Sequence, residues 1–205
     1  WYDAPEGTDF DLVLRGRGGF VPRDGIAMVS WVIYPGKAER HEVTEEELRS
    51  ARHTFFASSP AIEAFGDAGF GNTISLLPQA FDPRVMYPAA TEDRTGSVFV
   101  GSNHFGGEEL RPIVAMALDA GADLRIWGRG WAGTPAEEKL VARYLRNDRV
   151  GDLYRASRIV LCDHMPAMRK GGYVSNRIFD ALACGAAVIS DDVSGLPPEF
   201  EPFVH

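Results

Sequence analysis

Clustered positive charge is scarce in this sequence. Its 205 residues include 21 lysines and arginines against 29 aspartates and glutamates, which gives a formal net charge of −8 at pH 7. A nucleic-acid-binding surface needs a clustered basic face to neutralise phosphates. The charge balance therefore argues against a nucleic-acid partner.

Long hydrophobic runs are also missing. No apolar stretch approaches the ~20 residues that a helix needs to cross a bilayer, and no signal peptide is visible. We therefore expect a cytoplasmic protein without a transmembrane segment. The sequence opens at Trp1 rather than at a methionine, so we expect its start to be incomplete, and an export signal in the parent gene stays an open alternative.

Cysteines number only two, Cys162 and Cys184, and each lies within an apolar segment. Two buried thiols suit a reducing compartment, and their spacing fits no zinc motif. No cluster of cysteine, histidine and carboxylate residues has metal-ligand spacing, so we expect no bound metal. The sequence also lacks a nucleophile elbow and a P-loop. The G-x-G-x-x-G fingerprint is missing too, which argues against a nicotinamide-dependent oxidoreductase. We expect no permanently bound cofactor.

What the sequence does contain is an alternation of short apolar runs and helical patterns. We expect strands at residues 11–14, 27–34, 54–57, 73–77, 97–101, 124–127, 158–162 and 186–190, and helices from residues 44, 59, 108, 134, 151 and 176. The strands are continuous apolar runs, which is typical of a parallel sheet covered by helices on both faces. The proline-rich segment 78–94 is predicted to link two domains, residues 1–90 and 91–205.

Two of the helix starts have the pattern of a capping box. These are Thr44 with Glu47, where Val43 and Leu48 are placed to form a hydrophobic staple, and Thr134 with Glu137. The apolar stripe expected on the second of these helices consists of Leu140, Val141, Tyr144 and Leu145.

Ligands of an open parallel sheet bind outside the carboxyl ends of its strands, and two glycine-containing turns follow predicted strands there. The candidate contacts in these turns are Gly101, Ser102 and Asn103, and then Gly128, Arg129 and Gly130. Glycine lets the backbone approach a phosphate, and a helix N-terminus attracts anions. Plain glycine turns with a solvated arginine explain both patterns equally well.

A third turn is the strongest candidate. A basic, glycine-rich loop that includes Lys170 leads into a helix for which Ser175 is the predicted N-cap. Asn176 and Asp180 share a helix face, where a carboxylate is well placed to accept hydrogen bonds from a ribose diol. Arg177 could pair with Asp180, and it suits a diphosphate. The alternative is a capped helix with a solvated Arg177–Asp180 pair.

Two further features follow predicted strands. His164 is a candidate general base or phosphate contact, with an ordinary surface histidine as the alternative. The Arg15–Gly19 stretch is predicted to be a plain loop, because too few residues separate it from the next strand for a crossover helix.

Residues 175–191 resemble the segment E-A-(L/M)-A-x-G-x-x-V-I of two-domain GT-B glycosyltransferases. More narrowly, their run S-N-R-I-F-D-A-L-A-C-G is similar to a stretch of the CgeB-like group, named for spore-maturation proteins. Residues 77–83, 98–102 and 124–131 are similar to other segments of that group. The resemblance covers residues 75–200 well and the first half loosely.

The resemblance implies an α/β, GT-B-like fold, with two Rossmann-like domains built on parallel sheets around a cleft. The N-terminal domain would be incomplete in this sequence, and the C-terminal one would continue past His205. The resemblance also implies a nucleotide-diphosphate sugar on the C-terminal domain, with Asp180 at the ribose and the loop of Gly101 and Ser102 at the diphosphate. Many retaining members have a second glutamate where this sequence has Gly172, and Asp180 is shorter than the usual glutamate.

We therefore predict a hexosyl-type glycosyltransferase that moves a sugar from a nucleotide-diphosphate donor to an acceptor, which could be a glycan, a lipid, a protein or a small molecule. The predicted catalytic groups are Arg177, Lys170 and His164, and the predicted donor-binding residues are Gly101, Ser102, Asn103, Gly128, Arg129, Gly130, Ser175, Asn176 and Asp180. Two alternatives stay open. One is a nucleotide-sugar epimerase of the same fold, and the other is a non-catalytic GT-B-like module, which Gly172 favours.

Overall fold

The computed structural model describes residues 10–15, 25–34, 43–89, 93–104 and 109–205, and these form two compact units. The first unit comprises the described residues up to Gln79 together with His164–Val174 and Val193–Leu196. The second comprises the described residues of Ala80–Asp163 together with Ser175–Asp192 and Pro197–His205. Each unit contains a sheet of parallel strands, which confirms the predicted fold class. The roles of the two domains, and their boundary near residue 90, stay predictions.

The first unit is built on a sheet of four parallel strands that follow one another in chain order. They are β1 (Phe10–Arg15), β2 (Ala27–Val32), β3 (His53–Phe56) and β4 (Ile74–Leu76). Helix α1 (Glu45–Ser50) precedes β3, and α2 (Ser59–Phe65), continued by a π-helical turn, lies between β3 and β4. Residues 16–19 of the predicted loop after β1 lie outside the described residues.

The start of α1 follows from its local sequence. The Glu47 N–H donates to the Thr44 hydroxyl at 3.2 Å, and the Thr44 N–H donates to the Glu47 carboxylate at 3.1 Å, so the predicted capping box is confirmed. Val43 packs against the core cluster that contains Leu48, as expected of a hydrophobic staple. Other buried members of that cluster are Val32, Phe56, Phe70, Ile74 and Tyr173.

The second unit has a five-stranded parallel sheet in the order β7-β6-β5-β8-β9. Its strands are β5 (Thr95–Val100), β6 (Leu124–Trp127), β7 (Leu140–Ala142), β8 (Ser157–Cys162) and β9 (Ala187–Ser190). The helices are α3 (Pro112–Asp119) and α4 (Asn147–Ala156), then α5 (Pro166–Lys170), which belongs to the first unit, and α6 (Asn176–Ala183). A 3-10 segment, Pro198–Phe203, closes the unit.

The prediction of a helix that begins at Thr134 is wrong. Residues 137–139 form a 3-10 turn, and Leu140–Ala142 form the edge strand β7 beside β6. The Thr134 hydroxyl does cap the turn by accepting from the Ala136 N–H at 3.2 Å, but the Glu137 carboxylate accepts from Gly133 instead. Pairing with the backbone of β6 outweighs the helical pattern of these residues.

Two other helices differ from their predicted bounds, and one was not expected. Helix α3 begins at Pro112 rather than at residue 108, because proline is well suited to the first helical position. Helix α4 begins at Asn147 rather than at Gly151. Arg169 and Lys170, predicted to lie in a loop, form the last turn of α5. Element type was therefore easier to predict than element bounds.

Burial agrees with the predictions for the apolar segments. Cys162 and Cys184 are buried free thiols, and burial raises the pKa of Cys162 to about 12, which makes it an unreactive core residue.

Within the described ranges, no helix combines the length and the apolar character needed to cross a bilayer.

Candidate functional site

The strand order of the second unit identifies a candidate binding edge, which is formed by the carboxyl ends of its parallel strands. The order reverses at β5, which has β6 on one side and β8 on the other. In open α/β sheets, ligands bind in the crevice outside the carboxyl ends of the strands at such a switch point. The residues that follow β5, β6 and β8 and the start of α6 lie at this edge, and together they make up the candidate site.

The turns after β5 and β6 interlock through their backbones. The Asn103 N–H donates to the Arg129 carbonyl at 2.8 Å, and the Arg129 N–H donates to the Ser102 hydroxyl at 3.3 Å. A Cβ on Gly128 would overlap the Gly101 carbonyl oxygen. The same is true of Gly130 and the Asn103 carbonyl oxygen. Close packing of the two turns therefore requires these glycines, and the six predicted residues of the two turns lie together.

An open cavity of about 310 Å³ lies beside the turn after β6. Its lining includes Gly128, Arg129, Gly130, Leu140 and Arg143. A volume of this order is at the lower end of the range for small-molecule sites. Arg129 and Arg143 are exposed, and they place positive charge beside the cavity.

The most buried charged residues at this edge, Arg111 and Asp163, were not among the site residues predicted from the sequence. The Arg111 Nε donates to Asp163 Oδ2 at 2.8 Å, and its Nη2 donates both to Oδ1 and to the Asp163 carbonyl. Both side chains are at least 95% buried. Asp163 directly follows β8, so the strand-end rule could have identified it. Arg111 was hidden because the sequence placed the start of α3 too early.

Arg177 lies beside this pair. Its Nη1 is 3.9 Å from Asp163 Oδ1, and its guanidinium carbon lies 5.3 Å from the centroid of the Phe99 ring. The prediction that Arg177 pairs with Asp180 is therefore wrong, because the guanidinium approaches Asp163 instead. Nη1 is buried and has no hydrogen-bond partner. A buried donor without a partner is costly unless something binds to it.

The Asn176–Asp180 face of α6 is confirmed. The Asn176 amide donates to Asp180 Oδ2 at 3.0 Å. Burial raises the pKa of Asp180 to about 6, and the Asn176 hydrogen bond partly opposes that shift. Ser175 occupies the N-cap position but makes no side-chain capping bond there. The carboxyl at this position is thus held on one oxygen, and its pKa of about 6 lies well above that of an ordinary aspartate.

His164 and Lys170 belong to the first unit. His164 is 7% exposed, so the alternative of an ordinary surface histidine is wrong. Lys170 is exposed at the end of α5. Their catalytic roles stay predictions.

The glycine-rich loop after α5 is packed within the first unit. The Ser58 hydroxyl donates to the Gly171 carbonyl at 2.6 Å, and the Gln79 amide donates to the Val174 carbonyl at 3.0 Å. Gly172 has φ +66°, and a Cβ there would lie 2.6 Å from the ring of Pro60. A glutamate could not replace Gly172 without a shift of the backbone. The glycine at this position thus has a local steric cause.

The described residues hold no group of three or more histidine, cysteine or carboxylate side chains suited to a metal ion. At the switch-point edge, one guanidinium nitrogen, Arg177 Nη1, lacks a hydrogen-bond partner, and Arg177 lies in the first turn of α6, an arrangement that can attract an anion. Residues 109–205 match the family model described as glycosyl transferase-like. The matched stretch contains Arg111, Asp163 and all of α6.

Among solved structures, the apo form of the lipopolysaccharide outer core galactosyltransferase WaaB is similar to this chain. The TM-score is 0.50 at 15% identity, over 85% of this chain and 52% of that one. At this identity the likeness shows the fold, which is that of a GT-B glycosyltransferase. The chain spans about half the length of that structure. No curated protein matches the sequence.

Proposed function

We propose that this chain carries the donor-binding part of a glycosyltransferase that moves a sugar from a nucleotide-diphosphate donor to an acceptor without a bound metal. The observation that carries the proposal is the buried Arg177 Nη1, which lacks a hydrogen-bond partner at the switch-point edge of a parallel sheet. The glycosyl transferase-like match of residues 109–205 supports it. The narrower likeness to CgeB-like proteins and a cytoplasmic location belong to the same proposal.

The chemical role of Arg177 would be to stabilise the leaving diphosphate. Glycosyl transfer breaks the bond between the sugar and the diphosphate, so negative charge grows on the diphosphate in the transition state. A fixed guanidinium in a partly dry site stabilises such charge without reorganising. The start of α6 adds free backbone N–H groups and the positive end of the helix dipole. The Ser102 N–H is a further candidate donor, whereas the Gly101 and Asn103 N–H groups already donate to the carbonyls of Trp127 and Arg129.

Asp180 would bind the ribose of the donor. One carboxylate oxygen accepts from Asn176, which leaves the other oxygen for a ribose hydroxyl. The ionised form suits this role best, because a carboxylate accepts hydrogen bonds on both oxygens, whereas a protonated carboxyl uses one oxygen as a donor. The cavity beside the turn after β6 is the proposed place for the remaining part of the nucleoside.

The test is a calorimetric titration with UDP, GDP and TDP, with and without EDTA. We expect one nucleotide to bind at micromolar strength regardless of EDTA, and Arg177→Ala to weaken binding roughly 10- to 100-fold through loss of a charged hydrogen bond. Arg158→Ala is the matched control, because Arg158 is an exposed arginine near the opposite end of β8. Equal losses in the two variants would exclude Arg177 as the diphosphate contact.

A non-catalytic module is the second candidate, and Gly172 favours it. The left-handed backbone at Gly172, which a residue with a Cβ adopts only with strain, and the nearby ring of Pro60 disfavour the glutamate that many retaining enzymes carry there. If the full-length protein were such a module, it would transfer no sugar from any nucleotide-sugar donor to any acceptor that is offered. An epimerase would convert a nucleotide sugar without an acceptor, so product analysis separates all three functions.

A further inference from the structure

The buried Arg111–Asp163 pair is an expensive feature of the second unit. Both side chains are almost fully removed from water, and such pairs often contribute little net stability compared with apolar residues of similar size. A pair of this kind at a switch-point edge therefore calls for a reason other than stability. Its neighbour Arg177 suggests one.

Arg111 occupies the carboxylate of Asp163 almost completely. It donates to both carboxylate oxygens and to the backbone carbonyl of the same residue. Its Nη1 also donates to the Ser102 carbonyl at 3.4 Å, which ties the pair to the turn after β5. Asp163 therefore cannot rotate towards another donor without breaking these bonds.

This arrangement explains the state of Arg177. At 3.9 Å, Asp163 attracts the Arg177 guanidinium by charge but forms no hydrogen bond with its Nη1. If Asp163 were free to turn, it would form that bond and consume the donor. Arg111 thus fixes Asp163 close enough to attract the Arg177 guanidinium by charge, but in an orientation that forms no hydrogen bond with Nη1.

The Phe99 ring restricts the same guanidinium groups. The guanidinium carbons of Arg111 and Arg177 lie 5.5 Å and 5.3 Å from its centroid. A Cβ on Gly101 would lie 2.9 Å from this ring and 3.6 Å from the Arg177 guanidinium carbon. The glycine therefore leaves the space in which Phe99 and Arg177 stack.

We propose that Arg111 and Asp163 are a positioning pair, which orients Arg177 and keeps its Nη1 donor available for a phosphate oxygen of the donor substrate. The inference rests on the proposed function and deepens it. Neither residue of the pair touches the substrate, so both act through Arg177.

The test is a double-mutant cycle with inorganic pyrophosphate as the probe. The variants are Arg111→Met with Asp163→Leu, which removes both buried charges together, then Arg177→Ala, and then all three substitutions. We expect the pair replacement to weaken pyrophosphate binding about tenfold while the melting temperature stays close to that of the wild type. The triple variant should bind no more weakly than Arg177→Ala alone. Independent, multiplying losses would overturn the proposal.

A second variant covers the case in which the apolar pair does not fold. Arg111→Lys keeps the charge but loses the planar fork that reaches both oxygens of Asp163. We expect it to weaken pyrophosphate binding as the pair replacement does. Binding as strong as that of the wild type would overturn the proposal.

A measurement without ligand separates this inference from the proposed function. Nitrogen-15 spectra of the arginine side chains report how freely each guanidinium rotates. In Arg111→Lys a freer Asp163 would accept a hydrogen bond from Nη1, so we expect the Arg177 guanidinium to rotate more slowly in this variant than in the wild type. Unchanged Arg177 signals would overturn the positioning role. A wild-type protein that binds neither pyrophosphate nor nucleotides would instead overturn the proposed function.

Discussion

Two regions combine glycines with basic residues in the sequence but differ in the structure. One is the loop Arg169–Val174, and the other consists of the turns after β5 and β6. The loop Arg169–Val174 belongs to the first unit, where the carbonyls of Gly171 and Val174 accept hydrogen bonds from side chains of that unit. Its two basic side chains are exposed. In the second unit, the turns after β5 and β6 pack on each other, and the nearby Arg177 has a buried donor without a partner.

The difference shows what identifies a binding site in this molecule. Glycines occur in both regions for the same reason, since in each a Cβ would collide with another segment of this protein. Positive charge also occurs in both. What distinguishes the second unit is a partly buried arginine, Arg177, whose buried Nη1 donor has no hydrogen-bond partner, and such a donor is costly unless a ligand binds to it.

The largest expected effect concerns the steric role of glycine in the loop of the first unit. Gly172 and Gly121 share φ +66°, but only Gly172 has neighbours within 4 Å of an added Cβ. We expect Gly172→Ala to lower the free energy of unfolding by about 3 kcal/mol, from backbone strain and the clash with Pro60. Gly121→Ala should cost only the strain, about 1 kcal/mol. Urea denaturation measures both values, and equal costs would remove the clash from the explanation.

The next prediction contrasts the two candidate cations. Arg177→Ala should weaken nucleotide binding by about 2 kcal/mol, because it removes a buried charged donor. Lys170→Ala should weaken it by about 0.5 kcal/mol or less, since an exposed charge is screened by water and salt. Titration calorimetry of the two variants at one salt concentration provides the comparison. A larger loss for Lys170→Ala would move the diphosphate contact to the loop.

The fold was largely predictable because strong local patterns decide it. Continuous apolar runs placed every strand except β7, and the Thr44 capping box fixed the start of α1. Strand β7 was missed because its neighbour β6, rather than its own sequence, selects the extended form. Tertiary context of this kind cannot be derived from a window of residues.

The candidate site was predictable only in part. Strand ends and helix faces identified Gly101, Asn176 and Asp180, because those positions follow from periodicity and topology. The partner of Arg177 did not follow. Its choice between Asp163 and Asp180 depends on side-chain packing around Phe99, which sequence spacing does not encode.

A smaller effect is expected from the titration of Asp180, and it has opposite signs for binding and for stability. The pKa of this carboxyl is raised to about 6 in the folded protein, from 3.8. Nucleotide binding should therefore weaken as the pH falls through about 6, because the ribose contact is best made by the carboxylate. The contribution of Asp180 to stability without ligand should instead fall as the pH rises from about 4 to about 6, since the folded state holds this proton more tightly than the unfolded state.

The control for this pH dependence is Asp180→Asn, which cannot titrate at this position and should bind nucleotide weakly at every pH from about 5 to about 8. Calorimetry and thermal denaturation across that range provide the two profiles. Parallel profiles for the wild type and Asp180→Asn would show that another group titrates.

The smallest effect is expected at a second buried donor of the same unit, and it sharpens the comparison. The Tyr154 hydroxyl, like Arg177 Nη1, is buried without a hydrogen-bond partner, and burial raises its pKa. Unlike Arg177, whose side chain is 24% exposed, Tyr154 is fully buried, so no ligand can complete its hydroxyl. Tyr154→Phe should therefore leave nucleotide binding unchanged and raise the free energy of unfolding by up to about 1 kcal/mol, because it removes an unsatisfied polar group. A loss of binding in this variant, measured beside its stability, would mean that the unsatisfied hydroxyl also serves the site, and that burial alone does not separate the two donors.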